Sequence, residues 1–374
     1  MSKKFNNDKM YPMDDNFVTV VNLDKDVFFE YFLVDDRTKT LILGDGVDSW
    51  DNSQGILSDT QIESIILEGR HETLLLIDGI LYERTNDEYY DFEVSLKLVL
   101  CFIPPKMKIN KYVVPEDCIE FATFSICNNY LKEIVFHNNF LFFQDMCFAD
   151  CLNIKSINLP KSLKGIGEYP LDISGLENIM IDPENTNYIV KNNALLNFEG
   201  SILISIPCGR KEEVFEIPEG VISVEEYLPC NSFIKKLILP NTLPSFTAHA
   251  CCEGNSMMFA FPSIEECIIK DKNPYLKAVD GVVYSKDLKK LVYYPVNKKC
   301  QEYTLIDSCV SIEISSFIEP KYLKKVFIPN RNFKLDTLLK VDYDSEIYVH
   351  DGISYILVDY LDLYIKYDLL KDEV

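Results

Sequence analysis

The sequence predicts an α/β fold that leans to mainly β, in the form of a right-handed solenoid of stacked parallel strands with inserted β-hairpins. Two observations lead to this prediction. A six-residue apolar pattern of strand length recurs along the chain, and hairpin-like stretches such as "DGVVYSKDLKKLVYYP" at residues 280–295 occur three times. The composition is compatible with such a fold, because 47% hydrophobic and 26% charged residues are typical of globular chains.

The repeated pattern is an aliphatic residue, two mostly polar residues, a second aliphatic residue, a variable residue and a final apolar one. Each copy is too short for a helix, and its last positions alternate like a strand that buries one face. Proline follows three copies, at Pro160, Pro240 and Pro329, and ends the strand because it cannot donate to a ladder. The seven copies begin at Ile62, Leu131, Ile154, Leu176, Ile234, Ile264 and Leu323.

The distances between copies predict where the solenoid is regular and where it is interrupted. Three copies in a row are 23 and 22 residues apart, which is the period of a leucine-rich-repeat coil. Three other gaps are 69, 58 and 59 residues long, and each holds one hairpin. We therefore expect a leucine-rich-repeat solenoid over 41–356, an N-terminal cap over 1–40 and a C-terminal cap over 357–374. The hairpin modules are expected near 76–115, 188–218 and 276–306.

The three hairpins share one register. A turn pair lies 16 residues after the start of the preceding repeat strand, at 78–79, 192–193 and 280–281. Asp, Asn and Gly tolerate the positive φ that a tight turn requires. The register resumes at the end of each hairpin, where a closing proline is followed eight residues later by an aromatic residue. These pairs are Pro104 and Tyr112, Pro207 and Phe215, and Pro295 and Tyr303.

Three segments make the chain similar to the BspA-type leucine-rich-repeat family. They are "CFADCLNIKSINLPKSLKGIG" at 147–167, the Asp-Gly hairpins followed by "IPEGV" with its best copy at 215–221, and "EIYVHDGISY" from Glu346. The resemblance covers roughly residues 40–356. It implies a repeat solenoid, and it implies a surface adhesin that binds host proteins after export.

Charge and hydropathy narrow the partners and the location. The formal net charge of −22 repels polyphosphates and anionic lipids, which argues against nucleic acid as a partner. No apolar run approaches the roughly 18 residues that a bilayer requires, so we expect no membrane insertion. The N-terminal "MSKKFNNDKMYPMDDNF" has no apolar h-region, which predicts a cytoplasmic location. Cell-surface or secreted location is the alternative that the family resemblance implies.

The twelve cysteines are the most conspicuous candidates for chemistry. Cys147 and Cys151 form a C-x3-C pair, but zinc sites usually combine two such pairs or add spaced histidines. Cys118 and Cys309 occupy the position of Val221 in the middle module, so cysteine here substitutes for a small buried hydrophobe. We expect structural cysteines, no cofactor and no enzymatic activity. A cysteine-dependent enzyme is the alternative, because a Cys–His pair could assemble in three dimensions.

A solenoid offers a strand-lined face for binding, because the variable strand positions stand in rows without disturbing the core. We define the third row as the position between the last two apolar residues of each copy. Six of its seven members are apolar, with Asn158 as the exception. A ligand surface and a surface covered by the hairpins or by self-association explain this row equally well. The candidate partner-binding residues are Ile66, Val135, Met180, Ile238, Ile268 and Phe327.

Charged pairs lie beside the third row and alternate in sign in the C-terminal half. They are Lys235-Lys236, Glu265-Glu266 and Lys324-Lys325. Such an arrangement predicts cross-strand pairing worth a few tenths of a kcal/mol per pair. The function predicted from sequence is therefore a non-catalytic scaffold that binds a protein, or alternatively a glycan, along its strand face. The sequence gives no preference for an oligomeric state.

Overall fold

The structure of the chain is a computed structural model. It describes residues 9–11, 13–21, 32–44, 46–47, 49–50, 55, 57–85, 97–148, 151–169, 171–225, 228, 230–244, 261–313, 316–317, 320–334, 346–350 and 353–357. Most of the predicted C-terminal cap, residues 358–374, lies outside these ranges.

The chain divides into two compact units, and the described residues of both contain strands and no helix. Unit 1 comprises residues 1–193 and 205–209, and unit 2 comprises 194–204 and 210–374. The predicted solenoid of parallel strands, mainly β in composition, is confirmed.

The strands of unit 1 are β1 (Lys9–Tyr11), β2 (Val18–Val21), β3 (Phe32–Val34), β4 (Thr40–Leu43), β5 (Ser64–Leu67), β6 (Leu74–Ile77), β7 (Ile80–Thr85), β8 (Lys97–Phe102), β9 (Lys111–Val113), β10 (Cys118–Phe121), β11 (Glu133–Val135), β12 (Phe142–Phe143), β13 (Ser156–Leu159), β14 (Gly165–Ile166), β15 (Asn178–Ile181) and β16 (Tyr188–Lys191).

Those of unit 2 are β17 (Ala194–Asn197), β18 (Ile202–Ser205, whose last residue is assigned to unit 1), β19 (Val214–Glu216), β20 (Ser223–Val224), β21 (Lys236–Leu239), β22 (Glu266–Ile269), β23 (Leu276–Val279), β24 (Val282–Ser285), β25 (Lys290–Tyr293), β26 (Glu302–Thr304), β27 (Ser311–Ile312), β28 (Lys325–Ile328), β29 (Glu346–His350) and β30 (Tyr355–Leu357).

The repeat strands form parallel ladders in each unit. In unit 1 the pairings are β2–β4–β5, β9–β11 and β13–β15, and in unit 2 they are β19–β21–β22 and β26–β28–β29. Strands β9, β19 and β26 were not predicted as repeat strands. Each carries one of the aromatic residues that follow a closing proline, and this ring takes the buried core position. Tyr112 opposes Ile134, Phe215 opposes Leu237 and Tyr303 opposes Val326.

The inserted module has three strands and not the two that the sequence suggested. In unit 1, β6, β7 and β8 are antiparallel, and in unit 2 so are β23, β24 and β25. The third strand then pairs in parallel with the next coil, β8 with β10 and β25 with β27. The module therefore starts a second parallel sheet on the solenoid, which in unit 1 continues through β12 and β14.

The module interrupts the ladder of repeat strands, because its turn covers the edge of the preceding strand. The Cys267 amide donates to the carbonyl of Gly281 at 2.9 Å, and the Ile179 amide donates to the Asn193 side chain at 2.9 Å. Consequently β22 does not pair with β26. The hairpins therefore interrupt the hydrogen-bonded ladder of repeat strands, as the sequence predicted.

Stacking nevertheless continues across each module through one backbone hydrogen bond. Its donor is always the residue two positions after the closing proline, and its acceptor is the first aliphatic residue of the preceding repeat strand. The bonds are Lys106 N to Ile62 O at 2.9 Å, Gly209 N to Leu176 O at 2.7 Å, and Asn297 N to Ile264 O at 2.9 Å.

Aromatic side chains fill part of the core of unit 1. Phe121 and Phe140 are buried with ring centroids 4.7 Å apart, and Phe143 and Phe148 pack against Phe121 at 5.6 and 6.1 Å. Rings in this geometry add to the free energy that burial alone supplies. Phenylalanines of "FLFFQDMCF" thus serve mainly as core residues.

Four buried asparagines among the described residues fasten turns to the preceding coil. The side-chain oxygen of Asn185 accepts from the amides of Asn187 and Tyr188, both at 2.8 Å, while its amide nitrogen lies 3.0 to 3.2 Å from three carbonyl oxygens of residues 160–163. The other three bond in the same two directions. They are Asn128, Asn231 and Asn273.

Replacing Asn185 with alanine should destabilise the protein by about 2 to 5 kcal/mol, because buried backbone groups on two coils lose their partner. The control is Thr186→Ala, at an exposed position in the same turn. Urea denaturation followed by circular dichroism measures both changes. Equal midpoints for the two variants would contradict the role assigned to Asn185.

Two of the three modules contain a buried pair of tyrosine hydroxyls. Tyr82 and Tyr112 lie 2.8 Å apart, and Tyr284 and Tyr303 lie 2.7 Å apart. The equivalent positions of the middle module hold Leu196 and Phe215, which are both buried. The hydroxyls are therefore present or absent together, as expected if a single one would be left without a partner.

We expect Tyr284→Phe to cost about 1 to 3 kcal/mol, since it leaves the buried Tyr303 hydroxyl without this bond. The double variant with Tyr303→Phe should cost less than the sum of the two single changes. A double-mutant cycle from urea denaturation tests this coupling. Strictly additive free energies would show that the two hydroxyls do not depend on each other.

Candidate functional site

All six candidate partner-binding residues lie on repeat strands, next to a buried core residue. Ile66 exposes 42% of its surface to solvent, Met180 exposes 49% and Ile268 exposes 39%. The other three are half-buried. The positions are Ile66 on β5, Val135 on β11 and Met180 on β15 in unit 1, and Ile238 on β21, Ile268 on β22 and Phe327 on β28 in unit 2.

The third row has further apolar members in unit 1 that the sequence pattern did not identify. Val20 and Ile42 stand in register with Ile66 across β2, β4 and β5. Val113 stands beside Val135 and is 59% exposed. The aromatic residue eight positions after Pro104 could have revealed Val113, because it marks the core position of β9.

Polar residues divide the third row where the sequence suggested an apolar run. Asn158 opposes Met180, as predicted, but Glu216 opposes Ile238 and Thr304 opposes Phe327. Glu216 is held by Lys270, whose ammonium lies 2.6 Å away and whose pKa is raised by this hydrogen bond. The face therefore presents short apolar segments.

Phe327 is partly covered by the C-terminal strands of unit 2. Its ring stacks on Tyr348 of β29 with centroids 5.1 Å apart, and it makes a T-shaped contact with Tyr355 of β30 at the same centroid distance. An aromatic cluster of this kind stabilises the end of the ladder. Changing Phe327 would disturb this packing as well as the surface.

Ion pairs cover the strand positions beside the third row in unit 2. Lys236 stands opposite Glu266 and pairs with it, and Lys235 pairs with Glu213. The alternation of sign between β21 and β22 is as predicted. Lys325, however, pairs with Glu302 at 3.4 Å, because β26 and not β22 is its neighbour. Exposed pairs of this kind contribute little to stability.

A cleft of about 570 Å³ opens in unit 2 where the module interrupts the ladder. Each of its four lysines pairs with a carboxylate, including Lys298 with Asp280 at 3.1 Å and Lys299 with Glu265 at 2.8 Å. The cleft thus has balanced charge and does not resemble an anion site. Its lining residues are Glu213, Val214, Lys235, Lys236, Glu265, Glu266, Asp280, Lys298, Lys299 and Cys300.

The buried cysteines are poor nucleophiles. Burial raises the pKa of Cys118 to about 12 and that of Cys309 to about 11, and it raises the pKa of Cys147 and Cys267 as well. The thiolate is the reactive form, so little of it is present at neutral pH. This agrees with the role of small core residues predicted for Cys118 and Cys309. Cys251, Cys252 and His249 lie outside the described residues.

Two histidine side chains of the described part, His71 and His137, bond to the backbone. His137 places Nε2 3.0 Å from the carbonyl oxygen of Cys118, and Nδ1 accepts from the Asn139 amide. His71 contacts the carbonyl oxygens of Val47 and Glu68. Within the described ranges, no three His, Cys, Asp or Glu residues are arranged to hold a metal ion.

Comparison with known families identifies the repeats. Residues 101–209 match the model of the BspA type leucine rich repeat region, in six copies. We call residues 101–209, which are similar to this family, the BspA-type region. This BspA-type region contains the ladders β9–β11 and β13–β15, and with them Val135 and Met180. No curated protein matches the chain.

Three solved structures are similar to the chain. The pneumococcal vaccine antigen PcpA is 14% identical, with 92% of this chain and 78% of PcpA covered and a TM-score of 0.47. A leucine rich cell surface protein from Faecalibacterium prausnitzii A2-165 is 12% identical, with coverage of 92% and 93% and a TM-score of 0.47. A leucine-rich repeat protein from Eubacterium ventriosum ATCC 27560 is 13% identical, with coverage of 90% and 89% and a TM-score of 0.38.

The described residues contain no helix with the length and apolar character needed to cross a bilayer.

Alkylation of the native protein at neutral pH should leave Cys118, Cys267 and Cys309 unmodified, because these thiols are buried and their pKa values are raised. Adding denaturant should expose all three. Peptide mass spectrometry after each treatment measures the modified fraction. Rapid native labelling of any of them would contradict the burial and reopen the cysteine-dependent alternative for that residue.

Proposed function

We propose that the chain is a non-catalytic repeat scaffold that binds a protein through the third row of its strand face. The observation that carries the proposal is the set of exposed isoleucine, valine and methionine side chains on strands whose opposite faces are buried. Ile66, Val113 and Met180 are the most exposed of this row in unit 1. Their backbone is fixed by the ladder, so ordering it on binding costs little entropy.

A protein suits this surface better than a glycan does. The centre of a protein interface is depleted in charge and is formed by apolar side chains. Lys235 and Lys236, next to the third row in unit 2, are already engaged by Glu213 and Glu266, and several of the phenylalanines lie in the core. Leucine-rich-repeat proteins in general bind proteins, and the BspA-type region carries part of this row.

The absence of catalysis is part of the proposal. Repeat proteins of this family generally act as scaffolds. The buried thiols of Cys118 and Cys147 have raised pKa values, and His71 and His137 bond to backbone groups. These observations support a binding role over the cysteine-dependent alternative.

The second candidate function is that of an adhesin, with the scaffold located on the cell surface. The BspA-type region favours it, since the family resemblance implies adhesins that meet host proteins outside the cell. The same strand face would serve in either compartment. The source of the captured partner, cell lysate or extracellular matrix, distinguishes the two locations.

The test is a quantitative pull-down from both extracts with the purified full chain and an Ile66→Glu, Met180→Glu double variant. Buried charge in an interface is costly, so we expect the variant to lose at least tenfold in partner recovery. The matched control is Leu152→Glu, at a side chain that is 54% exposed and lies off the third row. Equal recovery by the double variant and the control would overturn the strand-face proposal.

A further inference from the structure

Three charges that directly precede the neighbouring strands β19, β21 and β22 of unit 2 form a regular pattern with one further lysine. We call the charge row the four side chains Glu213, Lys235, Glu265 and Lys299. The row contains two ion pairs. Glu213 pairs with Lys235, and Glu265 pairs with Lys299 at 2.8 Å. Backbone bonds from Lys235 N to Glu213 O and from Glu265 N to Lys235 O place the first three in one line across the ladder, and the ion pair with Glu265 holds Lys299 at the end of the row. The signs along the row are minus, plus, minus and plus.

This order of signs is complementary to itself. A two-fold axis parallel to the strands, midway between β21 and β22, exchanges the two strands but keeps the position along each strand. It would place Lys235 over Glu265 of a second copy and Glu213 over Lys299 of that copy. Every charge of the row then meets an opposite charge, which is the requirement for an isologous contact.

The same axis also matches the neighbouring positions. Lys236 and Glu266 are register partners on β21 and β22, so the rotation places each over the other of the second copy. Ile238 and Ile268 are the next outward-facing partners, and both belong to the third row. The rotation therefore brings four isoleucine side chains together beside the charges. Ile268 is 39% exposed and has apolar surface to bury there.

The balanced local charge of this face allows two copies of the chain to approach each other here. A chain of net charge −22 repels its own copies over most approaches. In the charge row, two lysines balance two glutamates, and Lys236 balances Glu266. The pairs within one copy are exposed and contribute little, so sharing them with a second copy costs little.

We propose that a second copy of this chain binds through the charge row, with Lys236, Glu266, Ile238 and Ile268 at the centre of a two-fold homodimer. The inference rests on the proposed use of the strand face, and it names the partner for the unit 2 segment of that face. Three strands present less area than the roughly 800 Å² per partner of a standard interface. The dimer is accordingly weak, with a Kd on the order of 10 to 100 μM.

The test is sedimentation equilibrium of the purified full chain and of two charge variants. The acidic variant carries Lys235→Glu and Lys236→Glu, and the basic variant carries Glu265→Lys and Glu266→Lys. Wild type should dimerise with concentration, while each variant alone should associate at least tenfold more weakly because like charges then face each other. An equimolar mixture of the two variants should recover the dimer, because one presents only acidic and the other only basic central residues.

Several outcomes would overturn the proposal. A wild type that stays monomeric at ten times the expected Kd would do so, and so would variants that dimerise as well as wild type or a mixture that stays monomeric. Circular dichroism and urea denaturation check that both variants fold. If one does not, Ile268→Asp replaces it, with Ile222→Asp as the control at a side chain that is 53% exposed and lies outside the charge row. Loss of dimer with Ile268→Asp alone supports the interface, and equal association of both variants overturns it.

The experiment separates this inference from the proposed function. It uses the purified chain and needs no other protein, whereas the pull-down changes Ile66 and Met180 in unit 1. A monomeric chain that still captures a partner through those residues would remove the dimer and keep the scaffold. A dimer without any captured partner would do the reverse.

Discussion

The amide groups of four buried asparagines each hold a turn at a fixed offset from the coil before it, and the strand face depends on that offset. A turn buried between coils would otherwise leave amides and carbonyls without partners. Asn128 and Asn273 each accept two amides of their own turn and donate to carbonyls 21 to 33 residues earlier. Because side chains alternate along a strand, a slip of one residue would reverse the buried and exposed faces. The asparagines oppose such a slip at the four turns that contain them.

The inserted modules shape the binding surface by limiting it. The turns of two modules cover the free edges of β15 and β22, and the repeat ladders described within a unit are two or three strands wide. At the same time the amide two residues after the closing proline donates a hydrogen bond to the preceding coil, and the stack continues. An example is the bond from the Asn297 amide to the Ile264 carbonyl. The result is a series of narrow strand segments, and a charge-balanced cleft lies at one of the breaks.

The sequence predicted those parts of the fold that repeat in aliphatic residues, and it failed where another residue type takes the same place. Strands β9, β19 and β26 escaped the pattern because their core residue is aromatic. The first position of the pattern is also altered in two of them, being Glu212 before β19 and Cys300 before β26. The buried asparagines escaped for a different reason. Their partners lie a coil away, and apolar periodicity carries no information about a hydrogen bond over that distance.

The three strands that the pattern did not identify also affect the prediction of neighbours on the strand face. Positions of single residues on the strands were correct, because the spacing of each copy fixes which side chains face outward. The prediction of which residues are neighbours was less accurate. Glu216 and Thr304, on strands that the pattern did not identify, stand beside Ile238 and Phe327. Adjacency across a ladder depends on every strand being identified, whereas facing depends only on the local alternation.

Charge and apolar surface have separate roles on this face. The exposed ion pairs stabilise the sheet by a few tenths of a kcal/mol each, so stability does not explain why lysines gather there. Their effect is local neutrality in a chain whose net charge is −22. An apolar side chain such as Ile268 can be buried against a partner only if the charges around it do not repel that partner. Neutralising the strand positions beside the third row therefore allows the hydrophobic contribution of that row to be used in binding.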